Sequence, residues 1–291
     1  MTEKQSPSQW TTVIRPRTGW FDIDIADLAH YRDLVALFVK RNFIVLYKQT
    51  ILGPLWILLG PLVTSVIFTL IFGGIAGIPT EGAPQFLFFM ASNAIWGFFS
   101  SCLNGTANTF VNNAGLFGKV YFPRLAVPVS QVLSALVNFG IQLLMFLIFW
   151  VYFFFNSNAQ NGYVLPNWWL LYLPVLLLQV MMLGLGVGII VSSLTTKYRD
   201  LAVVFGFAVQ LWMYATPVVY PLSQLSTSPR LRFLVNLNPM TEPLQVFRYA
   251  LLGCGEVSVG GLIYSAVFSI AVLFVGVILF SRIEKTFMDT V

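Results

Sequence analysis

Charge is what this sequence has least of. Asp, Glu, Lys and Arg make up 9% of its 291 residues, where a soluble domain usually carries about 25%. With 57% hydrophobic and 16% aromatic residues, the composition is that of an integral membrane protein. Histidine occurs once, as His30, and cysteine twice, as Cys102 and Cys254. Two cysteines cannot make a disulfide framework, and no His, Cys or carboxylate cluster has metal-ligand spacing. No carboxylate pair falls in an apolar stretch. Ionisable groups at mid-membrane mark ion-coupled transport, so their scarcity weighs against a proton- or sodium-driven carrier. There is no phosphate-binding loop: Gly115–Lys119 (GLFGK) lacks the GxxxxGK[ST] spacing. If ATP drives this protein, another chain hydrolyses it. The net charge of +5 is not arranged as a basic stripe interleaved with aromatics, which excludes a nucleic-acid reading. The first 26 residues have no apolar core, so no cleaved signal is expected there. Asn104-Gly105-Thr106 has the form of a glycosylation acceptor, but it lies inside an apolar stretch and is discounted.

What is present is organised around Lys40–Leu70. Lys40, Arg41 and Lys48 precede a window, Gln49 to Thr80, without a charged side chain. About 20 apolar residues cross a hydrocarbon core of roughly 30 Å, and Ile51–Phe72 meets that length. Upstream, residues 1–24 read as a polar arm. Residues 25–48 read as an amphipathic helix: Asp24 caps it, and Leu28, Tyr31, Val35 and Phe38 recur at helical spacing opposite His30, Asp33 and Lys40. That stripe suits either the plane of the membrane interface or an ordinary surface helix, and the span that follows directly favours the interface.

Charge-free windows place six transmembrane helices in residues 49–282. After Ile51–Phe72 comes Phe86–Phe110. Two more share the window between Arg124 and Lys197, divided by the polar stretch Asn156–Asn167. The last two are Leu201–Tyr220 and Leu262–Phe280. An even number puts both termini on one side. Lys4, Arg15, Arg17, Arg32, Lys40, Arg41, Lys48, Lys119, Arg124, Lys197, Arg199, Arg282 and Lys285 fall on the N-terminal side, against Arg230, Arg232 and Arg248 on the other. The positive-inside rule therefore makes the termini cytoplasmic, with residues 283–291 as a cytoplasmic tail. Residues 221–258 are too long for a tight turn and too apolar for a solvated loop. They contain two short helices, about Arg230–Leu237 and Pro243–Leu252, split by Asn238-Pro239. Re-entrant backbone is tolerated where it lines a cavity, so this segment is expected to cap a pathway from the outside.

Two features bear on partners. The inside loop Asn112–Arg124 (NNAGLFGKVYFPR) ends in a basic and aromatic patch, suited equally to docking in a partner's groove or to a plain basic loop. Aromatic residues crowd the outer half, and most are expected in interfacial belts. Some could line a pathway, where their faces stack on sugar rings. Asp200 beside Arg199 reads as an orienting pair at a span's mouth.

Four motifs, in order, resemble the ABC-2-type export permeases. Tyr47-Lys48-Gln49-Thr50 followed by Leu52-Gly53-Pro54-Leu55-Trp56 and Pro61 is similar to the entry to their first span. Lys119-Val120-Tyr121-Phe122-Pro123-Arg124 and Tyr198-Arg199-Asp200-Leu201 resemble their two cytoplasmic loops. Leu237-Asn238-Pro239-Met240-Thr241, with Phe247-Arg248 and Leu251-Leu252-Gly253, resembles their outer segment. The likeness covers about residues 25–290, and the branch it looks most like exports polysaccharides: O-antigen, capsule and teichoic acid. It implies an all-α membrane domain paired as a homodimer, with two copies of a separate ATP-binding subunit carrying ATP and Mg, and no cofactor on this chain. The cargo implied is a lipid-linked polysaccharide, most like O-antigen, moved across a bacterial inner membrane. The resemblance puts docking of the ATP-binding subunit on Tyr31, Arg32, Phe117, Gly118, Lys119, Tyr121 and Arg124. It puts the glycan path along Trp56, Phe205, Trp212 and Tyr214, and an outer gate at Tyr220, Pro239 and Arg248. The rival readings are export of a small lipid or drug by the same superfamily and an intramembrane glycosyl- or acyltransferase. The transferase would need acid–base groups at a cavity, and only Asp200, Glu242, Arg248 and Glu256 come near one.

Overall fold

The computed structural model describes residues 30–48, 51–53, 55–117, 122–157, 162–198 and 200–287. Every regular element among them is helical. Helix α1 is Arg32–Tyr47, with Asp33 in its first turn. Helix α2, Leu55–Phe68, runs on into a wide π-helical turn, Thr69–Ile75. There the Ala76 N–H reaches back five residues to the Ile71 carbonyl at 2.8 Å. Next come α3 (Gln85–Ala107), α4 (Thr109–Phe117) and α5 (Ala126–Phe155). A short 3-10 turn, Trp168–Tyr172, leads into α6 (Leu173–Lys197). The remainder is α7 (Leu201–Ala215), α8 (Pro229–Asn236), α9 (Thr241–Leu252) and α10 (Val259–Phe287).

Five helical stretches among the described residues are long and apolar enough to cross a membrane: Leu55–Ile75, Gln85–Ala107, Ala126–Phe155, Trp168–Thr195 and Val259–Arg282. The chain is a multi-pass membrane protein. The window expected to give a span at Leu201–Tyr220 gives only the 15 residues of α7. That is about 22 Å of helix, short of a hydrocarbon core of roughly 30 Å. The helix stops because Thr216 precedes Pro217: a residue before proline is pushed out of the helical region, and Thr216 takes ψ 141°. The inside loop expected to start at Asn112 is helical through Phe117, with a kink at Asn113 (φ −122°).

Helix α3 is the hub. It packs against α2, α5, α6 and α9, and 72% of its apolar stretch is buried, against 11% for Leu55–Ile75. In lipid, apolar side chains gain little by leaving one hydrocarbon for another, so close packing decides which faces meet. Phe88, Phe89, Phe98 and Phe99 of α3 are fully enclosed, and Phe98 meets Phe139 of α5 at 4.8 Å between ring centroids. Helices α6 and α10 approach through glycine: a Cβ on Gly186 would stand 2.7 Å from the Leu273 nitrogen, and one on Gly276 would stand 2.8 Å from the Gly186 carbonyl oxygen. A second, smaller cluster joins Val35 and Phe38 of α1 to Phe110, Phe122, Ala126, Ile189 and Phe280. So the amphipathic stripe of α1 seats on the ends of α4, α5, α6 and α10. Leu37, on its other side, and Val45, two turns beyond Phe38, are exposed.

Candidate functional site

The densest polar construction lies around α9. Helix ends leave four carbonyls without intrahelical partners. In α9 each of the last four is matched from outside the helix. The Asn167 side-chain amide donates to the Tyr249 carbonyl at 2.9 Å. The Asn167 N–H reaches Ala250 at 3.2 Å, and the Leu165 N–H reaches Leu252 at 3.1 Å. Trp150 Nε1 donates to Leu251 at 2.7 Å. The chain leaves the helix at Gly253 with φ 76°, a conformation glycine adopts at no steric cost.

Asn238 is the second junction. Its Oδ1 accepts from Trp212 Nε1 at 2.9 Å and from the Met240 N–H at 3.0 Å. Its Nδ2 donates to Thr216 Oγ1 at 2.8 Å. Next to it, the Pro239 carbonyl accepts from Ser265 Oγ, which itself accepts from Gln179 Nε2 at 2.6 Å. The end of α7, the α8–α9 corner, α6 and α10 are thus hydrogen-bonded together.

Arg248, expected as an outside cation at a gate, is fully buried. Its Nη2 donates to Gln245 Oε1 at 2.8 Å, and its guanidinium carbon lies 4.4 Å from the centre of the Phe88 ring. Nε and Nη1 have no hydrogen-bond partner among the described residues. Burial lowers its pKa to about 10, partly offset by the Cys254, Glu81 and Tyr220 side chains, so it stays cationic at neutral pH. Tyr220 is half-buried, and its hydroxyl donates to the Tyr214 carbonyl at 3.4 Å. Tyr220, Pro239 and Arg248, named together from sequence, thus belong to one packed region at the end of the molecule where α7 stops.

The expected path residues divide. Trp56, in the first turn of α2, and Tyr214, in the last turn of α7, are each 56% exposed. Phe205 packs partly into the main core. Trp212 is half-buried against Phe99 and Trp96, at 5.1 and 6.4 Å between ring centroids. It also lines a cleft of about 220 Å3 with Leu231, Leu234 and Pro239. Trp56 lies in the first turn of α2 and Trp212 in the last turn of α7, and the ring contacts and cleft of Trp212 do not include Trp56. One side of α7 is open, with Val203, Val204, Phe207 and Leu211 all at least 58% exposed.

At the other end, Tyr31 packs on the α1 cluster that also holds Phe122 and Leu125, the neighbours of Arg124. Phe38 and Phe122 meet edge to face at 5.7 Å. Arg32 is exposed beside Asp33, at 3.8 Å. Arg124 is half-buried, and its carbonyl accepts the Val127 N–H in the first turn of α5. These residues therefore share one surface. Gly118, Lys119 and Tyr121, with the side chain of Phe117, lie outside the described residues. Sequence reasoning missed Asn167 and Asn238 as individual anchors. An asparagine before a proline, or at the edge of an apolar run, favours turns and caps through its side chain, and that was the available signal.

The described residues thus form a helical, multi-pass membrane domain, with a cationic helix at one end and short helices packed at the other. The sequence profile described as ABC-2 type transporter matches residues 33–252, and the chain belongs to that family. Three curated relatives bear on the branch. An O-antigen export system permease protein RfbA of Myxococcus xanthus is 29% identical over 219 residues, covering 75% of this chain and 80% of that protein. One of the same description from Klebsiella pneumoniae is 22% identical over 268 residues, covering 90% and 96%. The polysialic acid transport protein KpsM of Escherichia coli is 26% identical over 246 residues, covering 82% and 89%.

Proposed function

We propose that this chain is the membrane permease of an ATP-driven exporter that moves a lipid-linked polysaccharide, most like O-antigen, out of the cytoplasm across a bacterial inner membrane. The observation that carries it is the run of relatives described as O-antigen export permeases, of whose length the matches cover 80, 96 and 81%. The structure supports the reading physically. A hydrated glycan cannot cross hydrocarbon, because each unpaired polar group costs several kcal/mol, of the order of 4 or more. It needs an enclosed path. The first span and α7 present long uncovered faces, and a second copy packed there in two-fold symmetry closes a channel that one chain leaves open.

In this reading residues 25–48 form the cytoplasmic interface helix and 49–282 the six-pass domain, α7 being extended to full thickness by the turns after it. Residues 221–258 form a re-entrant outer segment, and both termini face the cytoplasm. Two ATP-binding subunits, which hold ATP and Mg, dock on the Tyr31, Arg32 and Arg124 surface and the adjoining loop with Phe117, Gly118, Lys119 and Tyr121. Exposed Trp56 and Tyr214, with Phe205 and the cleft face of Trp212, meet the glycan.

The test is gentle extraction from native membranes followed by native mass spectrometry. The expected mass is two copies of this chain plus two of an ATP-binding protein, with a lipid-linked saccharide co-purifying. A dimer or monomer without an ATPase, under conditions that preserve other transporters, overturns the mechanism. A small lipid in place of the saccharide overturns the cargo alone.

A further inference from the structure

Helix α1 does not lie flush on α5. Val39, Phe43 and Ile44 on one side and Leu133, Leu136 and Val137 on the other border a groove of about 590 Å3. That size falls in the roughly 300–1,000 Å3 range of small-molecule sites. Lys40 is the one charged residue in the lining. The flanks are built rather than loose. Asn42 Nδ2 donates to Ser134 Oγ at 3.3 Å, tying α1 to α5. The Arg41 guanidinium is held 4.9 Å above the Phe38 ring and bonds to Asn42 Oδ1 at 3.3 Å. From Lys40 to Lys48 the helix and its end carry three cations and no acid. The acid of α1, Asp33, lies nearly two turns away beside Arg32.

We propose that this groove is a binding site for an anionic phospholipid, with an acyl chain between α1 and α5 and the phosphate against Lys40 and Arg41. The apolar walls offer nothing to a soluble anion, which would stay in water. The cations offer little to a zwitterionic lipid. A basic amphipathic helix placed at the headgroup level gains from both terms at once. The inference rests on the interface-helix reading and is independent of the cargo. The lipid braces α1 against α5, and the start of the same helix carries Tyr31 and Arg32. A resident lipid therefore sets the position of the surface assigned to the ATP-binding subunit.

The experiment titrates the purified permease with phosphatidylglycerol and with phosphatidylethanolamine of identical chains, counting bound lipids by native mass spectrometry. The native chain is expected to retain phosphatidylglycerol several-fold better. Lys40→Gln, an exposed substitution that leaves the packing alone, lowers that retention about fivefold, the effect of one cation at an anionic surface, and leaves phosphatidylethanolamine unchanged. Val137→Trp, which fills the groove, lowers both. Equal retention of the two lipids by the native chain overturns the site, and so does Lys40→Gln binding phosphatidylglycerol as well as the native chain. The Lys40 variant keeps the test decisive should Val137→Trp fail to fold.

Discussion

Helices α8 and α9 are separated only by Leu237–Met240, yet they are opposites. No residue of α8 is buried, and Leu231, Phe233 and Leu234 are 53 to 67% exposed. In α9 every residue except Tyr249 is buried, including a charged arginine, and its carbonyl end is clamped by Asn167, Trp150 and Leu165. Helix α8 is held at its edges: the Tyr264 hydroxyl donates to the Leu237 carbonyl at 2.9 Å, Thr241 Oγ1 donates to Val235 at 2.6 Å, and Arg232 pairs with Glu256. The difference teaches that residues 229–252 are not one moving flap. Helix α9 belongs to the core that α3 organises, and α8 is the part whose displacement would disturb the fewest contacts.

The strongest way to break that contrast is to remove the same atoms from each helix. Leu244 of α9 is fully buried, and Leu234 of α8 is 61% exposed. Leu244→Ala leaves a cavity, and the lost dispersion contacts are not recovered in lipid. A cost of about 3 kcal/mol is expected. Leu234→Ala should stay within about 0.5 kcal/mol. Unfolding free energies in mixed micelles measure both, and equal costs would mean that α8 is packed as firmly as its neighbour.

A smaller effect tests the clamp itself. Asn167→Ala removes the side-chain bond to Tyr249 and also the Oδ1 that accepts the Trp169 N–H at 3.1 Å, which caps the turn at Trp168–Tyr172. Losing a cap and one of two bonds to the half-buried Tyr249 carbonyl, which keeps the Gly253 N–H at 3.0 Å, should cost about 1.5 kcal/mol. Hydrogen exchange should show the loss first at the end of α9, with α8 unchanged. Loss of protection spread evenly over both helices would dissolve the distinction.

Much of this was legible before any coordinates. The charge-free windows located the five long helices because a spanning helix must satisfy its own backbone and carry apolar side chains throughout. The break at Asn238-Pro239 separated α8 from α9 for local reasons, and so did the turn chemistry near each end. What composition could not supply was depth. Arg232 and Arg248 count alike as outside cations, and one proves half-buried and paired with Glu256 while the other is enclosed against Phe88. That outcome depends on α3, more than a hundred residues away in sequence. The short α7 was overread for the opposite reason. Hydropathy runs on through Tyr220, but Pro217 ends the helix first. For the expected site, the described residues expected on the cytoplasmic side, Tyr31, Arg32 and Arg124, lie near one another around the α1 cluster. The expected path residues Trp56 and Trp212 stand at the start of α2 and near the end of α7, and a path joining them is part of the proposed pairing of two copies.

The subtlest link between the two helices is a proton. Glu242, in the first turn of α9, is buried, and one of its carboxylate oxygens accepts the Ser258 N–H just before α10. Burial pushes its pKa up to about 6. The Ser258 bond works against that shift, and the nearby Glu256, partner of Arg232 on α8, adds to it. An unfolded glutamate titrates near 4.5. The folded chain therefore holds this proton more tightly than the unfolded chain does. The resulting stability is fully present below pH 4.5 and is lost as the pH rises through about 6. Since solvent screens part of the carboxylate, the expected loss is about 1 kcal/mol. Hydrogen exchange at Ser258–Leu262, corrected for intrinsic rates, should accelerate about fivefold between pH 4.5 and 7.5 beyond the global trend. Glu242→Gln should abolish that excess. Arg232→Ala should move the transition to higher pH, because Glu256 then faces Glu242 without its neutralising partner. A transition that stays put in Arg232→Ala would mean that α8 and α9 are electrostatically as separate as they are in packing.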